Sequence, residues 1–526
     1  MLRENANEAT LGFAGCGFWG AALAAPRLAR GQTSTLLYAP VADLTVVDPY
    51  FALPDVSGAH AGMIYDTLYA LDRQLVPRPQ MVGREEVTED GRRWRLTLRE
   101  GLRFHHGEPV LARDVVASLR RWFSVDVFGM KIAALTDAFS EVADNAVEFR
   151  LKRAFPLLRA ALAKPASYIP FILPASALAG ASRGQISDTS GSGPFRYEAG
   201  ERMVGSRVVY TKFAGYVPRP EPGDWLAGGK RALVDRVEWR IIPDASTASA
   251  SLQKGEIDWW SDVPPDLAPP LRRDPRLRVQ IQDFIGGEAI LRFNALYPPF
   301  DNPAVRRAVL PAIRQGDFMT AIAGDDREVW RDRVGVWSLG KPMSTDAGVE
   351  VMAGDLAASQ RLLAASGYRG ERIVVLAAGD YPSLYAVAQV GADLLKRIGF
   401  NVDLQTMDYG TQIQRRSSKA PPGQGGWNVI FNWFNGFNRY DPAAHLGIAP
   451  SWAGWVPVPE IEALREAWFD APDLAGRQAI AREIQLLVWR DVPYIPLGTY
   501  FPITAYQRGW VGIPTGGATF FNVRKG

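Results

Sequence analysis

The stretch between residues 373 and 404 constrains the fold of this chain more than any other part of its sequence. Residues 373–376 form a short apolar run that predicts a buried strand. Residues 383–398 place apolar side chains at helical spacing, and Gly399 follows as a helix-ending residue. Val402 and Leu404 then begin another strand. This order predicts an α/β fold that contains a parallel pair of strands.

Similar patterns extend over the rest of the chain. Asn302 and Pro303 begin a further helix, because asparagine caps free N–H groups and proline fits the first turn. Pro311 is expected to shorten or kink that helix. Polar or proline-rich stretches at 187–194 and 216–229 indicate loops. Alternation predicts strands at 94–98, 147–151 and 237–241, and an apolar run predicts another at 34–39. Helices are predicted at 58–71, 112–123 and 245–255, and helical spacing supports the one at 112–123.

Length, charge and cysteine usage limit the classes of function. A chain of 526 residues is too long for one core, so we expect two large lobes. Lys and Arg number 59 against 56 Asp and Glu, which gives no reason to expect nucleic acid or an anionic membrane surface as a partner. The single cysteine, Cys16, excludes an internal disulfide and a multi-cysteine metal site. We therefore expect neither a metal nor a cofactor.

The N-terminal segment, residues 1–31, resembles a secretion signal. Its apolar run, residues 11–25, is shorter than the roughly 20 residues of a membrane span but suits a signal-peptide core. Arg3 is the only basic residue before that run, and Glu4 and Glu8 oppose it. Cleavage after Gly31 and a lipoprotein anchor at Cys16 are the two alternatives. Cleavage is favoured, which predicts a soluble periplasmic protein.

Catalytic motifs do not stand out. The sequence contains no phosphate-binding glycine loop behind a strand, no nucleophile elbow and no zinc-protease signature. The acidic pairs at 85–86 and 325–326 lie in polar turns, where solvated charges are the ordinary interpretation. A secreted hydrolase that uses paired carboxylates in a cleft remains an alternative hypothesis.

Six segments, in order along the chain, carry a resemblance to a known family. The most specific is 94–122, WRLTLREGLRFHHGEPVLARDVVASLRRW. The others are 47–49 (VDP), 64–79 (IYDTLYALDRQLVPRP), 191–195 (GSGPF), 242–258 (IPDASTASASLQKGEID) and 291–309 (LRFNALYPPFDNPAVRRAV). Together they are similar to the solute-binding proteins of ABC importers for peptides, nickel and opines, family 5.

The resemblance implies a two-lobed periplasmic-binding-protein fold with an extra subdomain on the first lobe. The first lobe would comprise 33–75, 188–285 and 490–526, the subdomain 76–187 and the second lobe 286–489. Two crossings, near Asn294 and Val492, would join the lobes. A monomer of this kind would bury a small molecule or short peptide between its lobes and deliver it to an ABC permease in the inner membrane.

The resemblance also implies where a ligand would bind. In peptide-binding members, an aspartate three residues after a tryptophan pairs with the amino group of the peptide. Gly436 stands at that position here, and the nearest acidic residue is Asp441. Either Asp441 replaces that aspartate or the ligand has no free amino terminus. The candidate ligand-binding residues are Tyr50, Trp259, Trp433, Asn435, Asp441 and Tyr500.

The sequence therefore predicts a transport binding protein and not an enzyme. A chaperone-like or sensory periplasmic protein on the same fold is a second alternative, beside the hydrolase. Both would share the expected cleft, so the fold alone does not separate the three.

Overall fold

The computed structural model of the protein describes residues 34–50, 55–166, 168–179 and 185–526. The signal-like segment 1–31, with Cys16, lies outside the described residues. None of the helices in the described ranges combines the length and the apolar character that a membrane span needs.

A seven-stranded sheet is built from distant parts of the chain. Its central strand, Thr35–Ala39, runs parallel to Arg236–Arg240 on one side and to Trp259–Trp260 on the other. The strands predicted at 34–39 and 237–241 are thereby confirmed. The spatial order is Phe195–Tyr197, Arg207–Lys212, Arg236–Arg240, Thr35–Ala39, Trp259–Trp260, Ile503–Gln507 and Leu277–Ile281.

A six-stranded sheet contains the strand–helix–strand unit on which the fold prediction rested. Strands Arg372–Ala378 and Asn401–Met407 pair in parallel, and the helix Pro382–Ile398 connects them. The predicted parallel pair is therefore confirmed. The spatial order is Trp330–Arg331, Tyr494–Tyr500, Gly287–Phe293, Val429–Asn435, Arg372–Ala378 and Asn401–Met407.

A four-stranded antiparallel sheet and its helices form a separate layer within residues 82–162. Helix Ala112–Phe123 packs Val115, Leu119 and Trp122 inward, with each side chain fully buried, as its spacing predicted. The predicted strands at 94–98 and 147–151 are also present. The spatial order is Val82–Val87, Arg93–Leu98, Ala146–Leu151 and Thr136–Ala143.

Helices pack on the sheets with their apolar faces turned toward the core. Asp244 begins one of them by accepting a hydrogen bond from the Thr247 amide. Gly255, with φ of 76°, ends it. The helices of eight or more residues are Asp55–Ile64, Ala112–Phe123, Val127–Leu135, Ala245–Lys254, Gln315–Ala323, Leu356–Ala365, Pro382–Ile398, Tyr409–Arg416, Pro459–Asp470 and Leu474–Asp491. Shorter α-helices are Leu158–Leu162, Ala175–Leu178, Ala268–Arg273 and Pro303–Arg307.

The helix predicted at 58–71 is shorter than expected. It spans Asp55–Ile64, and the chain then forms the strands Asp66–Thr67 and Tyr69–Leu71. Residues 63–71 are all buried, so their apolar pattern has no periodicity that distinguishes helix from strand. Pairing of Asp66–Thr67 with Phe171–Ile172 decides the conformation.

The chain passes between the two large sheets at residues 282–286 and 501–502. The observed crossings are therefore not near Asn294 and Val492, the positions that were predicted for them. Val492 ends the helix Leu474–Asp491 with φ of 46°, and the following strand, Tyr494–Tyr500, pairs with Gly287–Phe293 in the six-stranded sheet. That strand falls inside the 490–526 range predicted for the first lobe, but its pairing assigns it to the other sheet.

The first lobe comprises the described part of residues 34–281 together with residues 503–526, and it contains the seven-stranded sheet and the four-stranded layer. The second lobe comprises residues 287–500, with the six-stranded sheet. The four-stranded sheet and the helices within residues 82–162 are called the subdomain.

Candidate functional site

A cavity of about 380 Å³ lies between the two lobes. Its walls are rich in aromatic rings and also contain polar residues such as Ser261, Gln282 and Asn435. Apolar walls with a few polar groups are typical of sites that enclose small molecules. Aromatic side chains that line the cavity include Tyr38, Tyr69, Tyr168, Phe171, Trp225, Tyr381, Trp433, Phe437, Tyr500 and Phe521.

Trp433 and Asn435 reach the cavity because the strand Val429–Asn435 ends at its wall. Asn435 lies opposite Gly287 in the neighbouring strand. The Asn435 side chain accepts a hydrogen bond from the Phe437 amide at 2.9 Å, which fixes the turn that follows the strand. Both side chains are only partly buried. They therefore present an indole face and an amide to the cavity.

Tyr500 lies beside Trp433 at the end of the strand Tyr494–Tyr500, which is separated from the strand of Trp433 by Gly287–Phe293. The two ring centroids are 6.2 Å apart, with the planes inclined at 46°. Burial raises the pKa of Tyr500 well above its ordinary value, so the phenol stays protonated at neutral pH. Its hydroxyl is consequently available as a hydrogen-bond donor as well as an acceptor.

On the opposite side, Trp225 of the first lobe stacks on Phe437 of the second. Their ring centroids are 5.7 Å apart and the planes differ by 13°. The Trp225 indole N–H donates to the Gly516 carbonyl at 2.9 Å. A side chain at Gly516 would place Cβ 2.4 Å from the indole nitrogen, so glycine is needed there. This ring pair forms an aromatic wall that spans both lobes.

Among the residues that the structure describes, four charged ones line the cavity: Lys164, Lys230, Asp262 and Asp283. Lys230 forms an ion pair at 2.9 Å with the fully buried Asp66. Lys164 is paired in the same way with the buried Asp126. Both lysine charges in the wall are therefore already compensated by buried aspartates that lie outside it.

The structure brings together three of the six candidate residues. Trp433, Asn435 and Tyr500 line the cavity, whereas Tyr50, Trp259 and Asp441 do not. Trp259 is fully buried in the first-lobe core, and its indole N–H donates to the Thr504 hydroxyl at 2.6 Å.

Tyr50 is also a packing residue. It is buried, and the guanidinium carbon of Arg121 lies 4.8 Å from its ring centroid. Its hydroxyl donates to the Phe171 carbonyl at 3.4 Å. These contacts connect the helix Ala112–Phe123 to Phe171 of the cavity wall, but Tyr50 itself is not a lining residue.

Asp441 lines a smaller neighbouring chamber of about 90 Å³. This chamber shares Lys164, Pro165, Ala166 and Phe437 with the main cavity. Burial raises the pKa of Asp441 to about 6, although the Ala444 amide donates to its carboxylate at 2.8 Å. Its position five residues beyond Gly436 thus puts the carboxylate beside the main cavity, not in its wall.

Sequence reasoning missed Trp225 and Phe437, which form the aromatic wall. Trp225 is in the proline-rich 216–229 loop, where a tryptophan has no periodic pattern to bury it. The presence of a large aromatic residue in such a loop was the one sequence feature that could have indicated a binding site there. Phe437 follows the strand Val429–Asn435 in a short turn, where no periodic pattern indicates that a ring lines a cavity.

We expect His445, which follows the cavity-lining turn, to make stability pH-dependent. Its Nδ1 accepts from the Gly447 amide at 3.0 Å, and its Nε2 lies 2.8 Å from the Val336 carbonyl, an arrangement that needs a neutral ring. Burial lowers the pKa of His445 to about 3. The unfolded chain therefore binds the proton first as pH falls below roughly 6.5. Protonation of His445 in the unfolded chain should therefore lower the free energy of unfolding by about 2 kcal/mol between pH 7 and pH 5.

Urea unfolding of the wild type and of His445→Gln at pH 7 and pH 5 measures this effect. The wild-type advantage over the variant should shrink at pH 5 by that amount. His106→Gln, which changes a partly exposed ring, is the matched control. Equal pH dependence in wild type and His445→Gln would contradict the prediction.

Comparisons with known proteins agree with this geometry. Residues 76–445 match the family described as bacterial extracellular solute-binding proteins, family 5 middle. A probable peptide ABC transporter periplasmic-binding protein, y4tO of Sinorhizobium fredii, is 34% identical over 519 residues, covering 96% of this chain and 97% of the relative. The glutathione-binding protein GsiB of Salmonella typhi is 25% identical over 485 residues, covering 89% and 90%.

Two solved structures share the fold. The binding protein AgaA of A. tumefaciens R10, in complex with agropinic acid, has a TM-score of 0.77 at 19% identity and covers 94% of this chain and 99% of its own. The Helicobacter pylori binding protein DppA, in complex with the peptide STSA, has a TM-score of 0.77 at 21% identity, with coverage of 93% and 98%.

Proposed function

Because the chain belongs to the bacterial extracellular solute-binding proteins of family 5, we propose that it captures a short peptide or an opine in the cavity between its lobes and delivers it to the permease of an ABC importer. The observation that carries this proposal is the interlobe cavity of about 380 Å³, whose walls come from both lobes. A ligand in that position contacts both lobes at once. It therefore favours the closed arrangement over the open one.

The role is binding and not catalysis. The relatives are named as binding proteins, and the family is one of solute-binding proteins. The aromatic walls and neutral polar side chains such as Asn435 suit a solute with both apolar and polar parts, which describes a short peptide. Trp433, Asn435 and Tyr500 are the proposed ligand contacts among the residues that the sequence singled out.

A thermal-shift screen tests the proposal. The panel contains di- to pentapeptides, glutathione, agropinic acid and mannopinic acid. A true ligand at 100 times its Kd stabilises the folded state by about 2.7 kcal/mol. Isothermal titration then gives Kd for each positive compound. A panel in which every compound leaves the melting temperature unchanged would count against peptide or opine capture.

Trp433→Ala is expected to weaken binding of any positive compound by about tenfold or more. The indole is a large, half-buried face on the cavity wall, and such aromatic residues carry much of the binding free energy. Titration calorimetry of the wild type and the variant measures the change in Kd. Trp455→Ala is the matched control, because Trp455 is similarly half-buried in the second lobe but lies outside the cavity wall. Equal Kd values for wild type and Trp433→Ala would remove Trp433 from the site.

The proposed setting is the periplasm, where the protein acts as a monomer that docks on an inner-membrane permease. Periplasmic relatives support the compartment. Osmotic-shock fractionation of the native host locates the protein, and light scattering of the purified protein gives its oligomeric state. Release with the cytoplasmic fraction would contradict the assignment.

A further inference from the structure

The second-lobe helix Pro459–Asp470 ends against the subdomain of the first lobe. The Phe469 ring lies 5.5 Å from the Phe128 ring at 86°, an edge-to-face contact. Its centroid is also 6.3 Å from that of Phe155. Phe469 and Phe128 are almost completely buried, at 1% and 4% exposure. Each of these two rings is thus buried in part by the other lobe.

Ion pairs flank this aromatic contact. Lys131 of the subdomain lies 2.5 Å from the Glu466 carboxylate, and its ammonium nitrogen is 5.1 Å from the centroid of the Phe469 ring. Arg153 pairs with Asp470, also at 2.5 Å. Basic residues on the subdomain therefore face acidic residues on the helix. The complementary charges define one docking register between the two surfaces.

These contacts depend on the relative position of the lobes. The two large sheets are connected through residues 282–286 and 501–502. A hinge movement there would separate the helix Pro459–Asp470 from the subdomain. It would expose the Phe128 and Phe469 rings and break both ion pairs. None of these contact residues lines the main cavity, although Phe128 lines the smaller neighbouring chamber.

We propose that Phe128, Lys131, Arg153 and Phe155 of the subdomain, with Glu466, Phe469 and Asp470 of the helix, form a clasp that keeps the ligand-free protein predominantly closed. The contacts of the clasp stabilise the closed arrangement of the lobes even when no ligand is bound. Ligand then enters through transient opening, and the closed form is the resting state. The inference rests on the lobe movement of the proposed function but requires no ligand for its test.

Pulsed electron-electron double resonance measures the populations directly. Cys16→Ser removes the single native cysteine, so that Ser140→Cys on the subdomain and Ala479→Cys on the second lobe are the only labelling sites. Both positions are exposed. The ligand-free protein should show one dominant short distance. Phe469→Ala should lower the closed-to-open ratio by about tenfold, because it removes a large buried contact between lobes.

A charge-reversed variant keeps the test independent of core packing. Glu466→Lys with Asp470→Lys should shift the distance distribution toward the long value, and adding Lys131→Glu with Arg153→Glu should restore the short one. Arg372→Glu breaks an ion pair of the same length within the second lobe and should change nothing. Phe139→Ala, inside the subdomain, controls for loss of a buried ring.

Two results would overturn the clasp. One is a ligand-free wild type with a dominant long distance. The other is a distance distribution that stays unchanged in both Phe469→Ala and the charge-reversed variant. Failure of the ligand screen leaves these measurements intact, so failure of the clasp and failure of the proposed function are distinguishable.

Discussion

Replacing Arg439 with methionine is expected to lower the free energy of unfolding by about 3–5 kcal/mol. Arg439 and Glu288 form an ion pair at 2.6 Å, and both side chains have no exposed surface. Burial raises the pKa of Glu288, and the guanidinium of Arg439 opposes that rise. Without Arg439, the carboxyl must either remain charged in a dry interior or take up a proton. Both outcomes cost free energy that the unfolded chain does not pay.

The pair holds the cavity-lining turn in place. Glu288 follows Gly287 in a second-lobe strand, and Arg439 follows Asn438, so both are adjacent in sequence to lining residues. Among the described residues, Glu288 Oε2 and Arg439 Nε lack hydrogen-bond partners, which shows that the pair is not fully satisfied. A buried pair of this kind contributes little net stability as a unit. Its more specific effect is to fix where the turn after Asn435 lies.

Urea unfolding at neutral pH measures the change. The double variant Glu288→Leu with Arg439→Met should recover most of the lost stability, because two apolar side chains leave no charge unpaired. Arg372→Met is the matched control, since its ion pair with Asp403 is largely exposed and should contribute less than about 1 kcal/mol. If Arg439→Met were no less stable than Arg372→Met, the buried pair would have no structural importance.

Sequence patterns correctly predicted the helices and strands whose conformation depends on residues close together in the chain. The unit Arg372–Ala378, Pro382–Ile398 and Asn401–Met407 was predictable because its apolar runs and its closing Gly399 lie within one short stretch. Residues 63–71 were not, because every position is buried and distant pairing with Phe171–Ile172 determines their conformation. The crossing at 501–502 was missed for the same reason: strand pairing, not sequence pattern, assigns Tyr494–Tyr500 to its sheet.

The candidate site was predicted less completely than the fold. Trp433 and Trp259 are equally aromatic and equally strand-like in sequence, yet Trp433 ends its strand at the cavity and Trp259 lies in a central strand covered on both faces. Their difference arises from sheet topology, which a single sequence does not reveal. Trp225 reaches the cavity from an irregular loop whose path is set by contacts such as that with Gly516.

Gly436→Asp is expected to destabilise the protein by about 3 kcal/mol or more. The Gly436 amide donates to the Gly286 carbonyl at 2.8 Å, and its own carbonyl accepts from the Ser338 hydroxyl. A Cβ at this position would lie 2.1 Å from Ile285 Cγ2 and 2.6 Å from the Gly286 oxygen. The crossing at 282–286 therefore occupies the space that an aspartate side chain needs. Overpacking and burial of a carboxylate act in the same direction.

This crowding explains why position 436 carries glycine, and it is compatible with both interpretations of Gly436 that the sequence left open. An amine-binding aspartate cannot be restored at 436 without moving the crossing, so a ligand amine would have to meet a different group. Urea unfolding of Gly436→Asp, with Gly423→Asp as control, tests the crowding, because a Cβ at Gly423 meets no atom within 4 Å. Adding Ile285→Ala to Gly436→Asp should recover part of the stability by making room. If Gly436→Asp instead kept wild-type stability and bound the peptides of the panel more tightly, the turn would be able to accept the aspartate, and amine recognition at 436 would remain possible in this protein.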